Sequence, residues 1–239
     1  MTAIRPLDRT RHAGLCVQPL RGAAARRLAQ VGISEIALAA ADTPLCLAKD
    51  AHTGRFNLIA LMGLVEPGNL FSHDGAIGAT YVPRAAMLTG FRLDPAGEAG
   101  LAVDEDDPSL GPQGEALFDA TGTTALADRL RAELDHIIAD VAAAQALIDT
   151  YARLRLICRL RLNLRFDDNR VHAIEGLYSL AGSALATLDD ASIVAMHRAG
   201  QLAPAAIITA SLSQIERLRQ LHNARHDRIR AIDITIDED

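Results

Sequence analysis

The segment Arg159-Leu-Arg-Leu-Asn-Leu-Arg-Phe166 decides the fold. Polar residues occupy every odd position and apolar residues every even one, so a period of two puts Arg159, Arg161, Asn163 and Arg165 on one face of a strand. Leu160, Leu162, Leu164 and Phe166 fall on the other face, which must find a core. Asp167-Asp-Asn169 supplies a turn, and 171–177 can return antiparallel, bringing His172 or Glu175 near the arginine row. Immediately upstream the period changes: Leu126, Leu130, Leu134, Ile137, Ile138, Val141, Leu147, Ile148 and Tyr151 recur at steps of three and four. This predicts one long central helix, capped by Thr123 or Thr124.

Outward from this helix and hairpin the signals are shorter. Thr187 with Asp190 reads as a capping box for a short helix through Ile193, Val194 and Met196 to Gly200. Pro204 then suits the first turn of a second C-terminal helix, whose buried stripe is Ile207, Ile208, Ser211, Leu212, Ile215, Leu218 and Leu221. The alternation over 229–236 predicts a last edge strand before Asp237-Glu-Asp239. On the N-terminal side, 45–49 and 56–62 flank Asp50-Ala-His-Thr-Gly54 as a β-hairpin. Glu66-Pro-Gly-Asn69 breaks the pattern, Leu70-Phe71 resumes it, and Ser72-His-Asp-Gly75 turns into a further strand over 76–82. The Gly- and Pro-rich stretch 94–122, with Asp104-Glu-Asp-Asp107, is expected to be mostly solvated loop. Residues 1–33 carry Arg5, Arg9, Arg11, Arg21, Arg26 and Arg27 against Asp8 alone and read as a basic, loosely docked extension. The expectation is one α+β domain over 34–239, with a β-rich N-terminal half built of hairpins, a long central helix, a β-hairpin and two C-terminal helices.

Composition removes several function classes. At 239 residues, 49% apolar and 23% charged, the chain can bury a core unaided. A net charge of -6 argues against nucleic acid as a partner, and five Phe, three Tyr and no Trp leave few stacking platforms. Cys16, Cys46 and Cys158 have neither disulfide nor zinc-ribbon spacing. No apolar run reaches the roughly 20 residues of a membrane span, and no signal-peptide core is present, so a cytoplasmic location is expected.

The glycine-rich nucleotide loops GxGxxG and GxxxxGK[ST] are absent, and so is the GxSxG nucleophile elbow, for which Ala181-Gly-Ser-Ala-Leu185 lacks the flanking glycines. His222 and His226 stand four apart, but Asn223 occupies the place of a zincin's general-base Glu. No metal and no cofactor is expected. The Arg159, Arg161 and Arg165 row can grip an anion if it faces a pocket, and is a neutralised or solvated sheet face if Glu175 and its neighbours pair with it.

Several segments in order resemble the SapC family of bacterial proteins. They are Leu61-Met-Gly-Leu64 with Gly68-Asn-Leu-Phe71, Asp74-Gly75 with Tyr81-Val-Pro83, and Val103-Asp-Glu105 with Pro108-Ser-Leu110. Gly114-Glu-Ala-Leu-Phe-Asp119, Gly176-Leu-Tyr178 and Leu188-Asp-Asp190 leading to His197, Gly200 and Ser211-Leu212 continue the series. The resemblance covers about 45–221. Ile77 departs from it, standing where the family tends to have Trp, and so does Leu88-Thr-Gly-Phe91, which replaces an Arg-aromatic-Pro-Phe stretch. It implies association with surface-layer loci, or with loci of TonB-dependent receptors and halogenase-like flavoproteins, in a binding or accessory role.

The leading expectation is therefore a non-catalytic binding protein for a protein or peptide partner, or a small-molecule ligand. Its surface is placed at Asn69, Phe71, His73, Tyr81 and Arg84, where turns and strand ends meet the scarce aromatics. The alternative is an enzyme, a hydrolase or small-molecule oxygenase, with an acid–base set drawn from His73, Asp74, Asp104 and Glu105. A homodimer through the Ala-rich 125–150 helix is compatible with the first.

Overall fold

The computed structural model describes residues 4–51, 53–65, 68–74 and 76–237. His52, Glu66, Pro67, Gly75 and the residues 1–3 and 238–239 lie outside it, so the expected turns at 50–54, 66–69 and 72–75 and the acidic end are described only in part. In chain order the elements are β1 (Ile4–Pro6), α1 (Arg9–His12), β2 (Cys16–Val17), α2 (Pro19–Ala24), β3 (Leu28–Gln30), α3 (Ile36–Ala40), β4 (Leu45–Lys49) and β5 (Phe56–Leu61). Next come β6 (Ser72–His73), β7 (Ala76–Ile77), α4 (Arg84–Met87), β8 (Phe91–Leu93), β9 (Leu101–Asp104), β10 (Leu110–Gly111) and β11 (Glu115–Ala116). The long helix α5 (Ala125–Arg153) follows, then β12 (Ile157–Phe166), β13 (Val171–Leu180), α6 (Gly182–Ala186), α7 (Asp190–Arg198), α8 (Leu202–Ser211), α9 (Ile215–Asn223) and β14 (Ile229–Asp237).

The alternation over 159–166 has its predicted consequence. Leu160, Leu162, Leu164 and Phe166 are buried, Arg159 and Arg165 are exposed, and β12 is central to a six-stranded sheet ordered β14-β12-β13-β4-β5-β3. β13 returns antiparallel through a turn in which Asn169 adopts φ +67, and β14 pairs along the other side of β12 as the expected edge strand. The β4–β5 hairpin also forms, with Asp50 accepting from the Thr53 N–H at 2.7 Å in its turn. Helices α8 and α9 cover the leucine face, and the stripe from Ile208 to Leu218 is buried there. A 3-10 turn at Leu212–Gln214 divides the one helix expected there into two.

Helix α5 joins two apolar cores. Its C-terminal part sends Leu147, Ile148 and Tyr151 into the main core beneath the sheet, with the Tyr151 hydroxyl donating to Gln201 O at 2.6 Å. Leu126, Leu130, Leu134 and Ile137 pack instead in a second core with Leu7, Phe91, Leu101, Val103 and Leu117. Thr124 caps the helix by its extended backbone, while its hydroxyl is committed to Ala116 O at 2.8 Å.

Four expectations are corrected. The described part of 1–33 is not loosely docked: β3 is a strand of the six-stranded sheet, β1 pairs with β9, and Leu7, Val17 and Ala23 are buried. These pieces are too short to show a period, and their partners lie far along the chain. The 94–122 stretch is not mostly solvated loop, because Leu101 to Asp104 form a fully buried strand between β1 and β8, while β10 and β11 flank β2. The strand expected over 76–82 is only Ala76–Ile77. Asp189, rather than a Thr187–Asp190 box, caps α7 by accepting from the Ser192 N–H at 2.8 Å.

Candidate functional site

The two cores meet along a groove of about 590 Å³. It is lined by β3, an edge strand of the six-stranded sheet, by Ile4, Asp104 and 91–93 from the three strands of the β1-β9-β8 sheet, and by α4 and the middle of α5. Four large apolar side chains that burial would normally claim line it in the open: Ile4, Leu28, Leu93 and Ile138 are each between 37% and 53% exposed. Polar groups converge at its margin. Arg26 gives one guanidinium nitrogen to Asp107 at 2.6 Å, while its buried Nε has no hydrogen-bond partner among the described residues. Arg92 binds the carbonyls of Thr89 and Phe91 at 2.9 and 2.6 Å, and Asp104 and Gln30 complete the rim.

Behind the groove the acidic run is structural. Asp107 loses hydration on burial, but the Ser109 hydroxyl and N–H, at 2.6 and 2.9 Å, hold its pKa below the ordinary value. Glu105 accepts from Arg11 and from His12 Nε2 at 3.0 Å, and those hydrogen bonds pull its pKa from 4.5 to about 2. His12 Nδ1 accepts the Asp8 N–H at 3.0 Å, which assigns the ring proton to Nε2.

The residues singled out from the sequence are dispersed. Asn69 and Phe71 are buried: the Asn69 amide oxygen accepts the Phe71 N–H at 2.9 Å, and the Phe71 ring lies under the Arg217 guanidinium at 5.2 Å. They are therefore loop packing and not an open surface. Tyr81 and Arg84 are bound into a charged lock between α3, α4 and α5. The Tyr81 hydroxyl donates to buried Glu35 at 2.7 Å, and Arg84 reaches Ser34 Oγ at 2.7 Å and Asp140 at 2.9 Å. Burial, with the Glu35 bond, pushes the Tyr81 pKa up. Gly32 is required beside this lock, since a Cβ there would lie 2.0 Å from an Asp140 oxygen.

His73 and Asp74 pair with each other at 2.8 Å on the exposed β6–β7 turn. Asp104 lines the groove and Glu105 faces α1, so the proposed acid–base set is not brought together. His222 and His226 have ring centroids 4.9 Å apart, with His222 Nε2 3.1 Å from Asp227 O; no group of three or more metal-ligating side chains occurs among the described residues. On the arginine face Arg161 meets Glu175 at 3.3 Å and Arg165 meets Asp233 at 2.6 Å, whereas Arg159 has no carboxylate partner among the described residues. The groove itself was missed: the only available signal was apolar residues at Ile4, Leu28, Leu93 and Ile138, which nothing in the sequence links.

The family model described as SapC matches residues 7–218. The chain belongs to the SapC family. The match begins at buried Leu7 and takes in the groove lining from Arg26 to Ile138, so the SapC region includes most of the segment read from sequence as an extension. No curated protein and no solved structure matches the chain. Among the described residues of this SapC protein, no helix is long and apolar enough to cross a membrane.

Proposed function

We propose that this SapC-family chain is a non-catalytic binding or accessory protein that holds an extended apolar segment of a protein or peptide partner in the groove between its two cores. The carrying observation is the gathering of Ile4, Leu28, Leu93 and Ile138 in one open channel that includes the edge strand β3 in its lining. Exposed apolar side chains clustered in a groove mark a binding surface, whereas scattered ones do not. Edge strands offer unpaired N–H and C=O groups, so an extended segment can add to β3 while its alternate side chains meet the apolar lining. Arg26 and Asp104 place polar groups of opposite charge along the groove's lining. The accessory role, a place in uptake or modification systems of the kind the resemblance implies, and a cytoplasmic location are parts of this reading.

Native mass spectrometry of the protein purified from its own host, with elemental analysis of the same sample, tests it. A co-purifying polypeptide in stoichiometric amount, lost from an Ile138→Asp variant that retains its melting temperature, is the expected result. A polypeptide retained by that variant, a bare chain, or a metal or cofactor at one per chain without a polypeptide, would overturn it.

A further inference from the structure

A second cleft, of about 680 Å³, lies at the C-terminal end of α5 and is lined by Phe56, Ala152, Arg155, Ile157, Arg159 and Tyr178, among others. Two features of it bear on what it could hold. The first is charge. In a chain with 30 acidic residues against 24 Lys and Arg, neighbouring Arg161 and Arg165 each have a carboxylate partner, yet Arg155 and Arg159 have none among the described residues. Asp237 also lines the cleft and is the cross-strand neighbour of Arg159, but it makes no ion pair with either arginine. Among the described lining residues, one carboxylate stands against two guanidinium groups. Lys49, the only lysine of the chain, sits 5.7 Å over the Phe56 ring.

The second feature is backbone. Arg155 sits just past the end of α5 at φ +56, the left-handed conformation that ends helices and favours glycine because a Cβ strains it. The Arg155 and Leu156 N–H groups close the helix end on Ala152 O at 3.0 Å and Tyr151 O at 2.9 Å, and this turn brings Arg155 into the lining of the cleft. The Phe56 and Tyr178 rings, edge to face at 4.9 Å, form an apolar wall beside the guanidinium groups. A smaller hollow of about 120 Å³ shares Arg159, Tyr178 and Asp237 and is lined also by the Arg161–Glu175 pair and Gly176.

We propose that this cleft binds a small molecule carrying an oxyanion, a carboxylate or a phosphate ester, on an apolar body, with Arg155 and Arg159 gripping the anion and Phe56 and Tyr178 contacting the body. Guanidinium groups present planar forks that match both oxyanions, and the volume is that of a small-ligand site. The site is separate from the peptide groove and does not depend on it. A purely structural account of Arg155 makes it a cation complementing the negative end of the α5 dipole, a role any positive side chain would fill.

Calorimetric titration of the full chain at fixed ionic strength, with phenyl phosphate, benzoate and inorganic phosphate as probes, separates these accounts. The expected result is saturable binding of phenyl phosphate or benzoate at one per chain, at least tenfold tighter than inorganic phosphate, the preferred probe identifying which oxyanion the cleft takes. Arg159→Gln and Arg155→Gly should each weaken it at least tenfold, and Arg198→Gln, an equal charge change on α7, should leave it unchanged. Arg155→Gly should melt no lower than the parent, because relief of the left-handed strain excludes misfolding as the cause. Arg155→Lys, which serves a helix dipole but lacks the fork, should also lose binding. Absence of saturable binding by every probe, equal weakening by Arg198→Gln, or full binding retained in Arg155→Gly would overturn the proposal.

Discussion

Single side chains on β12 behave as their spacing requires, because a period of two is a local property and needs no knowledge of the rest of the chain. Tyr81 and Arg84 are different. Their partners Glu35 and Asp140 lie 46 and 56 residues away, so their commitment to a buried lock was not legible. Phe71 likewise is closed off by Arg217, from the far end of the chain. Glu105 carries a pH prediction. Its pKa falls on folding from 4.5 to about 2, chiefly through the Arg11 hydrogen bond, so it contributes stability that is complete above pH 4.5 and disappears as pH falls toward 2. Melting temperatures across that window should fall less steeply for Glu105→Gln than for the parent; parallel curves would show that the pair contributes nothing.

Elements were legible in proportion to their length. The α5 stripe and the long strands β12 and β14 carry enough repeats to define a face, and even the helix ends lie close to their expected positions. Strands of two to four residues such as β3 and β9 carry none, and their pairing to distant segments is what makes them strands. Because α5 crosses from one core to the other, its middle should be sensitive even where it faces water. Ala143 is exposed there, so Ala143→Pro creates no cavity, but it removes a helix hydrogen bond and should cost about 3 kcal/mol. Denaturant unfolding followed by circular dichroism checks this; a loss below about 1 kcal/mol would mean that the cores do not depend on a continuous helix.

At the scale of the whole molecule, the Glu35–Tyr81–Arg84–Asp140 lock lies beside the seam that also forms the groove. Removing Arg84 takes the cation away from two buried carboxylates, Asp140 at 2.9 Å and Glu35 at 3.5 Å. Breaking such a pair by deleting one partner costs about 3–5 kcal/mol. Arg84→Met should therefore lower the melting temperature in scanning calorimetry and resolve the single cooperative transition expected of the parent into two; a parent-like single peak would assign the seam to apolar packing alone.

The outer edge of the six-stranded sheet has a consequence for handling the protein. β14 has β12 as its only strand neighbour among the described residues, and its nine residues include neither proline nor lysine, while Ile234 stands 44% exposed. Arg230, Asp233 and Asp237 are the charges that blunt this edge, and repulsion between like-charged molecules shares the task of keeping edges apart. That repulsion vanishes near pH 5.7, where the net charge is zero. The solubility minimum should fall there, with concentrated samples growing into sheet-rich precipitate by edge-to-edge addition, while dilute samples remain clear enough for the acid titration.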